Sequence, residues 1–158
     1  MRNQIINIEL AKNLITIPKL FTDDIVMETS GAKHQYSKFS APLLYPNGEN
    51  ITGLSLRLES NRTQAYRIHR FGLMLRDGAM LNPILDFCIY PNFTRAHMDR
   101  VKRITIYGSH VHILNDVNKL DVDYDKCTWR DCFKMFANQA NITFTSNKVI
   151  EPFEGELL

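Results

Sequence analysis

No apolar run in this chain approaches the roughly 20 residues that would carry a helix through a bilayer. The first segment, "MRNQIINIELAKN", lacks the apolar centre of a secretory leader. Both absences lead to the expectation of a cytoplasmic protein with no membrane part. Cysteine is scarce: Cys88, Cys127 and Cys132 are odd in number, which speaks against a disulfide framework, and Cys127 and Cys132 lack the second pair that a zinc ribbon needs. Without secretion, the Asn-x-Thr sequons at Asn50, Asn61, Asn92 and Asn141 carry no glycan expectation. Neither a glycine-rich phosphate loop nor a Gly-x-Ser-x-Gly elbow is present. "DVDYD" begins like a calcium loop, with Asp121, Asp123 and Asp125 at alternate positions. Its sixth position is Lys126 rather than glycine and its twelfth is Cys132 rather than glutamate, so that chemistry is excluded.

What is there describes an ordinary globular chain. A length of 158 residues, 44% of them hydrophobic and 23% charged, suits a single domain over 1–158 with a substantial core. The net charge of +2 is unevenly spread. Residues 57–103 hold nine Lys or Arg against four acids, whereas residues 104–158 hold five against eight. Clustered cations are the electrostatic footprint of a nucleic-acid partner, and they are also what antiparallel strands with one wet face carry in any case.

Ile5, Ile8, Leu10, Leu14 and Ile15 predict a helix over 4–15, closed by Pro18. "YPNGEN" predicts a hairpin turn at Asn47-Gly48 between strands near 40–45 and 51–59. "GLSLRLES" alternates as a half-buried strand. "AYRIHRFGLMLR" switches parity near Arg70, which predicts a bulge there, and His69 within it reads as a satisfied core or edge histidine. "PILDFCIY" reads as a strand with Pro83 at its start. Residues 91–102 read as a loop or short helical turn bearing His97. Toward the end, Thr128 and Asp131 resemble a capping box. Trp129, Cys132, Phe133, Phe136, Ala137 and Ala140 then form one helical stripe, and "NITF" adds a short strand. The expected fold is α+β: one antiparallel sheet with an N-terminal and a C-terminal helix against one face.

The chemistry concentrates in "RITIYGSHVHIL". Side chains two apart on a strand share a face, so His110 and His112 stand side by side. A bulge at Gly108-Ser109 returns Val111 and Ile113 to the apolar side and sends both imidazoles the other way, beside Tyr107 and toward water or a cleft. Three readings follow. In the first, histidines act as general acid and base on RNA without metal, with Arg95, Arg100, Lys102 and Arg103 as candidates to hold phosphate. In the second, His110 and His112 with His97 form a His₃ zinc site with an open position, and Asp86 supports it from behind. In the third, both are ordinary exposed strand residues.

"ILDFCIYPNFTRAH", "YGSHVHIL" and an aromatic helix ending in "ANQANI" together resemble an uncharacterised family of small bacterial and mobile-element proteins. In that family a strand with Leu-x-Leu-Asp is followed by a loop histidine, a Gly/Pro-x-His-x-His strand and a closing helix. The matching positions are Asp86, His97, His110 and His112, within roughly residues 51–145. The loop histidine there precedes Asn-Pro-Asp-Gly, where this chain has "MDRVK". The resemblance brings no settled activity, but it implies that His97 belongs to the same site as the strand pair. The expectation is an RNA-acting protein, a metal-independent endoribonuclease of a toxin or defence system. His97, His110, His112, Tyr107 and Arg95 would be its catalytic set, with no cofactor. Its rivals are a non-catalytic phage or mobile-element interaction or inhibitor protein with a protein partner, and a metal-dependent hydrolase holding zinc through His97, His110 and His112.

Overall fold

The computed structural model describes residues 7–153. The residue Ile5 of the expected first helix lies outside them. Helix α1 spans Ile8–Thr16 and α2 spans Trp129–Ala140. The strands are β1 Lys19–Phe21, β2 Ile25–Val26, β3 Glu28–Ser30, β4 Tyr36–Leu44, β5 Asn50–Arg62, β6 Arg67–Asp77 and β7 Met80–Ile89. They continue with β8 Arg95–Asp99, β9 Ile104–Tyr107, β10 His110–Ile113, β11 Asp116–Lys119, β12 Ile142–Phe144 and β13 Val149–Ile150. The architecture is mostly β, dominated by one antiparallel sheet of order β11-β10-β7-β6-β5-β4-β1-β12, with β3 on β4. Its far edge departs from the expected all-antiparallel sheet, because β1 and β12 pair in parallel, and β2 with β13 forms a separate two-stranded parallel sheet. None of the described helices is long and apolar enough to cross a membrane.

The centre of the sheet follows from alternation. Leu54, Leu56 and Leu58 on β5, Phe71 and Leu73 on β6, and Leu85 and Phe87 on β7 are all buried. Phe71 meets Trp129 at 5.6 Å and Phe136 at 6.0 Å between ring centroids, and Phe87 meets Phe136 edge-on at 5.7 Å. The stripe on α2 is thus core packing, and its start is fixed by a full capping box between Thr128 and Asp131. The β4–β5 hairpin turns at Asn47-Gly48, where Gly48 adopts φ 91° and Asn47 Oδ1 accepts the Glu49 N–H.

The expected bulge near Arg70 is absent. Pairing of β6 with β5 runs unbroken from Arg67 to Leu75. Ile68 therefore stays on Arg70's face, and the two line a groove there with Tyr90. The irregularity lies between Leu73 and Met74 instead, opposite Pro83, inside β7 rather than at its start. A residue without an N–H is tolerated where the ladder is already interrupted. A second departure concerns residues 91–102, where β8 forms a two-stranded hairpin with β9 rather than a loop. Its alternation is too short and polar to announce itself.

His69 is half-buried, with Nδ1 2.7 Å from the Ser60 hydroxyl. Burial, aided by Arg67, pulls its pKa from 6.5 down to about 4. Between those values the unfolded chain binds a proton that the folded one refuses, so stability falls as pH drops through the window and is complete above it. Urea midpoints should decline between pH 6.5 and 4, by up to about 3 kcal/mol in unfolding free energy, and His69→Gln should flatten that decline. An unchanged slope in the variant would assign the acid sensitivity elsewhere.

Candidate metal centre

Two strands remote in sequence build the site. β10 pairs antiparallel with β7 in a register that sets His110 opposite Cys88 and His112 opposite Asp86. Directly opposed residues share a face, so the four side chains lie together. Val111 and Ile113 point the other way and pack with the core. On β6, Arg70 stands opposite Cys88 and Gly72 opposite Asp86, extending the same face.

Gly108 creates this arrangement. It adopts φ 77°, and a Cβ there would lie 3.2 Å from the Asn92 Cα. Its N–H donates to Thr94 O at 2.8 Å, while the Ser109 hydroxyl accepts from Tyr90 N–H at 3.1 Å. This is a corner rather than a bulge in a continuous strand. Before it, β9 belongs to the hairpin with β8; after it, β10 enters the large sheet. The corner folds the hairpin back and sets His97 over the strand pair. The His110 and His112 ring centroids lie 5.0 Å apart, and His97 stands 5.1 Å from His112 and 5.8 Å from His110.

Burial divides the cluster. His110, expected in water or a cleft, is 3% exposed, because Tyr90 stacks on it at 5.6 Å and the hairpin covers it. Its Nδ1 lies 3.3 Å from the Gly108 carbonyl. Desolvation lowers its pKa below the ordinary histidine value, against the opposing pull of that carbonyl, and His97 lowers it further. His97 and His112 are half-buried. Asp86 is buried and takes a 2.6 Å ion pair from Arg70. Burial works against the Arg70 charge, but Asp86 more than offsets it and raises its pKa.

Cys88, His110 and His112 present one ligand atom each, all within 4.8 Å of one another, a convergence found among the described residues at this place alone. Cys88 was missed in the sequence. Its signal was its parity with Asp86, two residues earlier, but the pairing that brings it to His110 spans twenty-two positions and has no local signature. Tyr107 and Arg95 stand apart from the imidazoles. They oppose each other on the hairpin and are both exposed, while the adjacent pair His97–Ile106 faces inward, with Ile106 buried. Arg70, paired with Asp86, is a cation whose charge acts on His110. Cys127 and Cys132, with Sγ atoms 3.1 Å apart, belong to the core around α2. Comparisons with protein-family models, with curated proteins and with solved structures return no match.

Proposed function

We propose that this protein is a metal-dependent hydrolase acting on RNA. Cys88, His110 and His112 are its metal ligands, and His97 is the proton-transfer group beside the fourth position. The observation that carries the reading is the convergence of those three ligand atoms. Two imidazoles on one tetrahedral zinc, each bound at about 2.0 Å, hold their ring centroids about 5 Å apart; here the separation is 5.0 Å. A thiolate with two imidazoles is a donor set that zinc accepts in tetrahedral geometry. Three protein ligands leave a coordination position for water, whose pKa a bound zinc lowers to about 7.

Metal-independent acid–base cleavage fits the pair less well. In-line displacement puts attacking and leaving oxygens on opposite sides of phosphorus. An acid and a base, each about 2.8 Å from its own oxygen, then stand about 6 Å or more apart. The His110 and His112 nitrogens converge within 4.8 Å instead. His97, carried by a different element and outside the set of three converging ligand atoms, takes the proton-accepting role. Asp86, held by Arg70, lies opposite His112 and fixes the electrostatics behind it.

The test is hydrolysis of an RNA oligonucleotide by protein stripped with chelator and reloaded with zinc. Stripping should abolish cleavage, one equivalent of zinc should restore it, and His97→Ala should lower it by about 10² or more with zinc still bound. Cleavage untouched by chelators, with a bell-shaped pH profile, would return the reaction to acid–base histidines. Stoichiometric zinc without any cleavage would make the centre structural and leave the chain an interaction module.

A further inference from the structure

We propose that the β8–β9 hairpin is an arm that binds single-stranded nucleic acid along its outward face. The cations of the basic middle sort themselves by partner. Arg57 pairs with Glu59 at 2.6 Å and Arg70 with Asp86 at 2.6 Å. Arg62 and Arg67 lie over the Phe153 ring at 4.4 and 5.3 Å. Arg76 apart, the excess falls on the hairpin, whose sequence from 93 to 107 holds Arg95, Arg100, Lys102 and Arg103 against one acid, with Lys102 also reaching Asp116 at 3.8 Å.

The same fifteen residues carry exposed apolar groups that a folded domain ordinarily hides. Phe93 is 79% exposed and Val101 93%, and Met98, Ile104 and Tyr107 are about half exposed. Patches of this kind mark contact surfaces. Their arrangement selects the partner. Tyr107 and Arg95 are direct cross-strand neighbours on the outward face, an aromatic platform beside a guanidinium, the combination that stacks a base and holds its phosphate. The inward face carries His97 to His110 and His112. A polymer held on the outward face therefore lies across the hairpin from the centre. Its being an RNA substrate rests on the hydrolase reading; the charge and stacking arguments do not.

The experiment is fluorescence anisotropy of a labelled single-stranded RNA of about 12 nucleotides with chelator-treated full-length protein, repeated over a salt series. Binding should weaken linearly in log–log form as salt rises. The triple variant Arg100→Glu, Lys102→Glu, Arg103→Glu should bind at least about tenfold more weakly with a shallower salt slope. Tyr107→Ala should lose about tenfold with the slope unchanged. Both variants should keep the parent circular dichroism and zinc uptake. Absence of RNA binding at low salt, or undiminished binding by the triple variant, would overturn the proposal. So would capture by phosphatidylserine–phosphatidylcholine vesicles through the same residues without RNA binding. Retained RNA binding in a protein that takes up no zinc would leave the arm standing and remove the centre alone.

Discussion

Lys19→Met should cost the folded protein about 3 kcal/mol, enough to lower the urea midpoint markedly. Lys19 is 1% exposed, and its ammonium donates to Ile15 O at 2.9 Å, Ile17 O at 2.7 Å and Ala140 O at 2.6 Å. Those carbonyls close the two helices. Neither α1 nor α2 has a basic residue in its last turn, and helix C-termini leave carbonyls without intrahelical donors. A cation from β1 supplies the donors for both at once, at the negative ends of two helix dipoles. Asn141, left-handed at φ 54°, adds a bond from its side chain to Thr16 O at 2.8 Å. Burial pulls the Lys19 pKa down to about 8, so the amine remains protonated at neutral pH. Methionine keeps an unbranched apolar chain of nearly the same length and removes the three donors, leaving buried acceptors unpaired at roughly 1 kcal/mol each. Chemical denaturation followed by circular dichroism at pH 7 measures this. A loss under about 1 kcal/mol would mean that water replaces the ammonium and that the helix ends are held by Asn141 alone.

Zinc should stabilise the native protein by about 4 kcal/mol at a thousandfold excess over its dissociation constant. For a chain of this length that raises the midpoint of thermal unfolding by about 10 °C. The shift requires a site formed only in the folded state, which is what a ligand set drawn from β7 and β10 provides. His112→Ala tests it cleanly, because His112 is half-buried and its removal costs little packing. The variant should keep most of the stability without metal and lose the zinc-induced shift. His110→Ala should lose the shift as well, at a real cost in stability without metal, since His110 is 3% exposed and stacked on Tyr90. An equal zinc shift in wild type and His112→Ala would place metal binding elsewhere on the chain.

Local patterns made part of this legible in the sequence. Period two alone put His110 and His112 on one face, Asn47-Gly48 marked the β4–β5 turn, and Thr128 with Asp131 marked the start of α2. What escaped depends on pairings distant in sequence. Nothing near Cys88 announces that it will face His110, and nothing near Lys19 announces that it will reach Ala140. Gly108 was readable as an interruption, but whether a glycine bulges a strand or turns it out of the sheet is decided by what lies against it. Here the Asn92 backbone comes so close that only a glycine fits without displacement. The same corner explains why His97 reaches the cluster from a segment read as a loop. It also explains why Tyr107, adjacent to the histidine strand in sequence, faces away. Arg70 escaped a bulge because the apolar Ile68 finds a groove on the polar face.

X-ray absorption at the zinc edge of the metal-loaded protein tests the central claim most directly. The expected first shell contains one sulfur at about 2.3 Å and two imidazole nitrogens at about 2.0–2.1 Å, with one further light atom completing four-coordination. Cys88→Ser should remove the sulfur component. A shell of oxygen and nitrogen alone in the wild-type protein, or a sulfur that survives Cys88→Ser, would contradict a centre built from Cys88, His110 and His112.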